Sequence, residues 1–186
     1  NSLHGEIPSS LFNHQNLKYL DLSQNMFSHS ILSILGNLTS LVSLNIGSNS
    51  FSGFVSETHF SKLSNLEHLD LSNTDLALHF NPESIPLFQL KGLYLDKTNQ
   101  GHEFPPWIYT KGSLDELTIL SSGISIVDKG RFMSLIVGNC SVLDMCNNSI
   151  SADLSNVMLN SYKIRFGCNN FIRRLPHLSP IVQYVD

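Results

Sequence analysis

The stretch LKYLDLSQN, residues 17–25, carries the pattern that decides the fold. Leucines stand at its first, fourth and sixth places, and Asn25 stands at its ninth. The fourth and sixth places are two residues apart, so their side chains share one face of a strand, and Asn25 follows where the chain must turn. The pattern therefore predicts a short strand that leads into a turn.

The same nine-residue pattern recurs along the chain at intervals of 21 to 26 residues. Self-similarity at such a period is typical of a solenoid, in which each repeat packs on its neighbours. We expect a single array over residues 1–186, truncated at both ends, with partial repeats over 1–16 and 182–186. The full repeats are expected to start at Leu17, Leu41, Leu66, Leu90, Leu114, Cys140 and Ser161.

Apolar residues fill the fourth and sixth places of every full repeat. Strands of this kind, stacked side by side, form a parallel sheet with one buried face. A second apolar group later in each repeat, such as Ile34, Leu35 and Leu38 within SILGNLTS, has helix-like spacing. It predicts short helical or 3₁₀ turns on the opposite, outer face.

The ninth place always carries a short polar side chain, which we interpret as structural. Such a side chain can bond to backbone groups that a buried turn leaves unpaired. The eleventh place continues the core with apolar residues, and Gln100 is the exception. The ninth-place residues are Asn25, Asn49, Thr74, Thr98, Ser122, Asn148 and Asn169.

Charge and apolar content exclude two classes of partner. The net charge is -4, the pI is near 6.0, and Lys and Arg are scattered, so no nucleic-acid surface is expected. No apolar run approaches the ~20 residues of a membrane helix, so we expect no membrane contact within this segment.

The three cysteines form no CxxC pair, so no zinc site is expected. Cys140 occupies a leucine place and is interpreted as a buried apolar residue. Cys146 and Cys168 fall near the ends of neighbouring strands, where a disulfide is conceivable if the geometry allows it.

No catalytic motif is present, and the eight histidines are dispersed without ligand spacing. Asp21, Asp70 and Asp96 could be taken for paired carboxylates, but the first two belong to the recurrent strand motif and are expected to be solvated. The sequence therefore predicts no enzyme, no metal and no cofactor.

The outward positions of the strands are the candidate binding residues, because partners of solenoids contact several repeats at once. Tyr19, His68 and Tyr94 are expected to form one column that combines large contact area with hydrogen bonding. The candidate ligand-binding residues are Lys18, Tyr19, Asp21, Asn45, His68, Asp70, Tyr94, Asp96 and Glu116.

Three Asn-x-Ser/Thr sequons begin at Asn37, Asn139 and Asn147 and are candidate glycosylation sites. Asn37 is expected on the outer face, where a glycan would do no harm. A glycan on Asn147 would cover part of the concave face, which argues either against ligand binding around that repeat or against use of this sequon.

Strands of the form LxxLxLxxN, with SLHGEIPSSLFN and LGNLTSLVSLNIGSNSFSG, resemble the plant-specific leucine-rich repeats over essentially the whole chain. EFPPWI and RRLPHLSP are similar to ectodomains of plant receptor-like proteins, particularly receptors for a fungal ethylene-inducing xylanase. The resemblance implies an α/β repeat fold: a right-handed leucine-rich-repeat solenoid with a parallel β-sheet on the concave face and short helical or 3₁₀ turns on the convex face.

The resemblance also implies a function. The chain would be an internal segment of a receptor ectodomain on the extracellular side of the plasma membrane. It would bind a protein, peptide or glycan ligand on the concave face and serve defence signalling through co-receptor kinases.

Some positions depart from the family pattern. The place twelve residues after the first is Gly only at Gly5 and Gly53, so the second sheet that the family forms after the turn is expected to weaken from Leu76 onward. Two alternatives stay open: a secreted inhibitor of a cell-wall-degrading enzyme, and a degenerate fragment without binding activity.

Overall fold

The computed structural model describes residues 2–29 and 35–186. Ile34 and Asn1, to which the repeat pattern also assigns places, lie outside the described residues. The strands are β1 (His4–Gly5), β2 (Tyr19–Asp21), β3 (Met26–His29), β4 (Ser43–Asn45), β5 (Ser50–Val55), β6 (His68–Asp70), β7 (Asp75–Leu78), β8 (Gly92–Tyr94), β9 (Glu116–Thr118), β10 (Val142–Asp144), β11 (Met158–Leu159), β12 (Lys163–Arg165), β13 (His177–Leu178) and β14 (Tyr184–Val185).

The main sheet contains eight strands in the order β14-β12-β10-β9-β8-β6-β4-β2, and every pair is parallel. Each strand starts two residues after a first place of the sequence pattern. From β2 to β12, the middle residue of each strand, such as Leu44 or Leu69, is buried. The side chains at these middle positions therefore pack into the core, and the residues on either side of them face outward on the concave side.

A second, shorter sheet follows the turn and joins β1, β3, β5 and β7. Leu76 still lies within it, paired with Gly53, so the weakening begins after β7. Beyond it the described coils offer only the short β11–β13 pair and single bridges. Glycine at the place twelve residues after the first is not required for this sheet, because His29 and Leu78 occupy that place within β3 and β7.

The convex side carries 3₁₀ helices at Ser9–Asn13, Glu57–Phe60 and Pro106–Thr110 and helix α1 at Lys129–Ile136. Helix α1 lies in the 26-residue repeat that starts at Leu114, the longest of the array. Asp128 caps its N-terminus, where the Asp128 side chain accepts a hydrogen bond from the Arg131 amide at 3.0 Å. The longest repeat thus carries one capped helix.

The ninth-place side chains join neighbouring coils as predicted. The Asn49 amide nitrogen lies within 3.2 Å of the carbonyls of Leu22, Ile46 and Gly47, and its oxygen accepts a bond from the Phe27 amide at 3.1 Å. The ninth-place hydroxyls donate to backbone carbonyls, as Thr74 does to Leu71, and the Thr98 hydroxyl also accepts a bond from the Gln100 side chain. Asn therefore serves both backbone donors and backbone acceptors of the turn, whereas Thr and Ser serve the backbone carbonyls alone.

The residue before each ninth place adopts a left-handed backbone, with φ of 54° or 55° in seven successive coils. None of these residues is glycine, although this region disfavours most side chains. The recurring conformation turns the chain out of each strand. The seven residues are Gln24, Ser48, Asn73, Lys97, Ser121, Asn147 and Cys168.

Candidate ligand-binding face

The outward residues of the main sheet form two columns, because the residues before and after each buried middle position both face the concave side. The strand register places Tyr19 and His68 in the first column, whereas Tyr94 is aligned with Asp70 in the second. The prediction of one column for the three aromatic residues was therefore wrong. Tyr94 stands four residues after its repeat's first place, and Tyr19 and His68 stand two residues after theirs.

Tyr94 is nevertheless brought next to His68 by a glycine. A Cβ placed on Gly92 would lie 2.9 Å from His68 Cδ2, 3.0 Å from the Tyr94 hydroxyl and 3.1 Å from Tyr94 Cε2. The ring of Tyr94 thus leans across the space that any other residue at this position would fill. Its hydroxyl donates a 2.5 Å hydrogen bond to Glu116 Oε2 on the next strand. We call His68, Gly92, Tyr94 and Glu116 the Tyr94 patch.

The surroundings of the Tyr94 patch are acidic. Burial, the hydrogen bond to Glu116 and the negative charges of Glu116 and Asp70 all raise the pKa of Tyr94, so its hydroxyl stays protonated and donates. Burial also raises the pKa of Asp96, assisted by the charges of Asp144 and Asp70, although the Leu120 amide bond acts in the opposite direction. The Tyr94 hydroxyl is therefore a neutral hydrogen-bond donor in a negative field.

Two of the predicted carboxylates, Asp21 and Asp70, also have a structural task, which Asn45 and Asp144 share. Asp21, Asn45, Asp70 and Asp144 each accept a hydrogen bond from the backbone amide two residues later, at 2.9–3.1 Å. These side chains stabilise the start of the turn in the manner of an Asx turn. They are thus more than the solvated residues that the sequence suggested.

Tyr94, Thr118 and Arg165 stand at this position in the other full repeats, and at the first two of them a neighbouring side chain replaces the missing acceptor. Where Tyr94 stands, the amide of Asp96 donates instead to Ser72 Oγ at 3.2 Å. Where Thr118 stands, the amide of Leu120 donates instead to Asp96 Oδ1 at 2.8 Å. Asp96 therefore holds the coil next to it, and Ser72 permits an aromatic residue at the centre of the face.

The remaining predicted residues lie apart from the Tyr94 patch. Lys18 and Tyr19 are at the edge of the sheet, where Tyr19 is 70% exposed. The structure thus joins His68, Asp70, Tyr94, Asp96 and Glu116 into one region. Lys18, Tyr19, Asp21 and Asn45 belong to the first two coils of the same face.

Sequence reasoning missed an ion-pair group at the other end of the face. Arg165 Nη1 lies 2.8 Å from Asp144 Oδ2, and its Nε lies 3.6 Å from Asp186 Oδ2. Lys163 Nζ lies 5.8 Å from the centre of the Tyr184 ring. The register of successive repeats in the sequence could have revealed the first pair, because Arg165 and Asp144 occupy the same place in adjacent repeats.

The cysteines carry free thiols, and the conceivable bond between Cys146 and Cys168 is not formed. Cys140 is buried as predicted, with its sulfur 3.1 Å from the Asp115 carbonyl. Burial, followed by the charge of Asp115, raises the pKa of Cys140 to about 12. Burial, followed by the charge of Asp144, raises the pKa of Cys146 to about 11.

We expect a thiol reagent at pH 8 to modify Cys168 alone in the reduced, folded chain. Cys168 is exposed, whereas Cys140 and Cys146 are buried and protonated at that pH. Mass spectrometry of the labelled chain should show one modification when folded and three in denaturant. Rapid labelling of two or three cysteines in the folded chain would contradict the burial of these thiols.

The sequon asparagines Asn37, Asn139 and Asn147 are all exposed. The Asn147 side chain donates a 2.7 Å hydrogen bond to Ser121 Oγ, and the Ser141 hydroxyl of the second sequon bonds to Asp115. Glycosylation at the three sites stays a prediction.

Within residues 2–29 and 35–186, no three His, Cys, Asp or Glu side chains converge in a way that could hold a metal ion. Across the same described ranges, no helix has the length and apolar character needed to cross a bilayer.

The family pattern described as Leucine Rich Repeat matches residues 16–38 and 65–88. Together with the stacked parallel strands and the ninth-place ladder, this match defines the fold as a leucine-rich-repeat solenoid. The fold class expected from the sequence is thus confirmed.

Two tomato (Solanum lycopersicum) proteins are similar in sequence. Receptor-like protein EIX1 is 35% identical over 127 residues, which cover 67% of this chain and 12% of that protein. Receptor-like protein EIX2 is 33% identical over 134 residues, which cover 70% of this chain and 13% of that protein. The chain belongs to the plant leucine-rich-repeat receptor-like proteins.

A solved structure supports the same architecture. The Arabidopsis receptor kinase HAESA, in complex with the peptide hormone IDA and the co-receptor SERK1, superposes with a TM-score of 0.69 at 29% identity. The match covers 82% of this chain and 25% of the HAESA chain. The chain thus spans only a small part of the relatives that it resembles.

Proposed function

We propose that this chain is a non-enzymatic, ligand-recognition part of a plant cell-surface receptor, and that the Tyr94 patch is the centre of its binding face. The observation that carries the proposal is the fixed position of Tyr94, held across Gly92 by its bond to Glu116. Tyrosine combines contact area with hydrogen bonding and is enriched at binding hot spots. A side chain that is already ordered loses less entropy on binding.

A protein or peptide ligand on the extracellular side of the plasma membrane is the partner that the comparisons favour. The tomato relatives are named receptor-like proteins, and the HAESA structure contains a peptide hormone and a co-receptor. By extension, we propose that the parent protein serves defence signalling through partner kinases. The names of the relatives favour a receptor over a secreted inhibitor of a cell-wall-degrading enzyme.

The later repeats also argue against a degenerate copy. Asn148 and Asn169 keep the full set of ninth-place bonds, and each bonds to backbone groups of the preceding coil. A sequence free to drift would be expected to lose such buried bonds first, because they depend on single side chains.

We expect Tyr94→Ala to weaken ligand binding by about 10- to 100-fold, the size of a hot-spot loss of roughly 1.4–2.8 kcal/mol. Peptides would first be selected from a random displayed library with the whole receptor ectodomain. Their dissociation constants would then be measured by biolayer interferometry. Adding Tyr19→Ala is expected to weaken binding further if the ligand reaches the edge of the sheet.

Tyr162→Ala is the matched control, because Tyr162 is an exposed tyrosine of the same array that lies outside the patch. It should leave the dissociation constant within about twofold, since exposed substitutions away from an interface have small effects. Equal losses for Tyr94→Ala and Tyr162→Ala, or unchanged binding in both, would remove the Tyr94 patch from the site.

A further inference from the structure

A second candidate site lies away from the concave sheet, in a groove of about 600 Å³. The groove is located where strands β5 and β7 end and the convex 3₁₀ helices Glu57–Phe60 and Pro106–Thr110 begin. Its volume is within the range of small-molecule sites. We call it the lateral groove; Phe80, Gln100 and Trp107 line it.

Two buried polar atoms of the lateral groove have no hydrogen-bond partner among the described residues: Gln100 Oε1 and Trp107 Nε1. Gln100 is 8% exposed and Trp107 is 1% exposed. An unpaired buried donor or acceptor costs about 1–3 kcal/mol. Gln100 is also the residue that interrupts the series of apolar side chains at the eleventh place of the repeats. The fold therefore does not need a glutamine here, because a leucine packs at the same place of an adjacent repeat, at Leu76.

The orientation of the Gln100 amide follows from its neighbour. Thr98 Oγ1 uses its single proton in a 2.6 Å bond to the Leu95 carbonyl. The Gln100 atom that lies 2.6 Å from Thr98 Oγ1 must therefore be the donor Nε2. The acceptor Oε1 is consequently the atom left for a ligand.

The other groups of the lateral groove define the chemistry of that ligand. Glu57 and Glu103 supply carboxylates, and no Lys or Arg is among the described residues that line the groove, so an anion is disfavoured. Pro82, Pro105 and the half-buried ring of Phe80, stacked on Trp107 at 4.6 Å, supply apolar surface.

We propose that the lateral groove binds a neutral, hydroxyl-rich ligand of one or two sugar units. A hydroxyl both donates and accepts, so neighbouring hydroxyls can satisfy Gln100 Oε1 and Trp107 Nε1, and others can donate to the carboxylates. The C–H faces of a sugar ring fit the apolar surface. This site goes beyond the proposed function, because it is independent of the Tyr94 patch.

The chain contains one tryptophan, so its fluorescence reports on the lateral groove. Cellobiose, xylobiose and chitobiose would be titrated into the 186-residue chain, with binding checked by saturation-transfer NMR of the sugar protons. We expect a saturable change in Trp107 emission for at least one of the three. Lysine amide, a cationic ligand without sugar hydroxyls, would be titrated as a control. No saturation with any of the three sugars, or saturation only with lysine amide, would overturn the proposal.

Gln100→Leu separates a ligand site from a structural role. This variant restores the apolar pattern and removes the unpaired oxygen, so the melting temperature should stay level or rise while sugar affinity falls at least tenfold. Gln89→Leu, at an exposed glutamine outside the groove, should leave the titration unchanged. Equal sugar affinity in Gln100→Leu and the unmodified chain would overturn the proposal, as would equal losses in both variants.

Discussion

Trp107→Ala is expected to lower the free energy of unfolding by about 3–5 kcal/mol, the usual loss when a buried aromatic residue is truncated. Trp107 stacks on Phe80 and meets Phe88 edge to face, with ring centres 4.6 and 6.0 Å away. Both rings also contact Phe60, so one cluster links three successive coils. Removal of the indole would leave a cavity that the stacked coils can fill only in part. Urea denaturation followed by circular dichroism would measure the loss.

Phe54→Ala is the control for this substitution. Phe54 is 68% exposed, although its ring contacts that of His79 in a tilted arrangement with the centres 4.8 Å apart. We expect a loss below about 1 kcal/mol, because little apolar surface is buried there. A loss below 1 kcal/mol for Trp107→Ala itself would contradict the view that this cluster stabilises the array.

Asn49→Ala is expected to cost about 3 kcal/mol, because it would leave several backbone groups of two coils without partners. The groups are the carbonyls of Leu22, Ile46 and Gly47 and the amide of Phe27, all bonded to the Asn49 side chain. In a chain of this size the melting temperature should fall by roughly 6–12 °C. Differential scanning calorimetry would measure the shift.

Asn65→Ala provides the comparison, since Asn65 is exposed and makes one long bond of 3.4 Å to the Thr39 carbonyl. Its melting temperature should stay within about 2 °C of that of the unmodified chain, as expected for a surface substitution. If the two variants melted together, the ladder of ninth-place residues would not be a source of stability.

The sequence was sufficient to predict the parts of the fold that depend on periodicity. Leu20 and Leu22 alternate with polar residues, and the same spacing in every repeat predicts the parallel sheet. Asn25 and Asn49 predict the turn, because short polar side chains are needed wherever a buried turn leaves backbone groups unpaired. These features repeat, so each copy supports the interpretation of the others.

The candidate site was predicted less well, because it depends on residues that do not repeat. The closeness of Tyr94 and His68 results from Gly92, whose missing side chain has meaning only once the strands are stacked. The pairing of Arg165 with Asp144 likewise depends on register between repeats of unequal length. The burial of Lys111, whose ammonium donates to the carbonyls of Pro86 and Phe88, gives no signal in the local sequence.

The Asx turns of the main sheet divide the proposed binding face into fixed and variable positions. Asp21, Asn45 and Asp70 each hold their own turn with the same side chain that we propose for ligand contact. Exchange of these residues would alter recognition and stability together, unless a neighbour took over the bond, as Ser72 does beside Tyr94. The column of Tyr19, Ser43 and His68 has no such task in the described turns. New specificities should therefore evolve, or be engineered, through that column first.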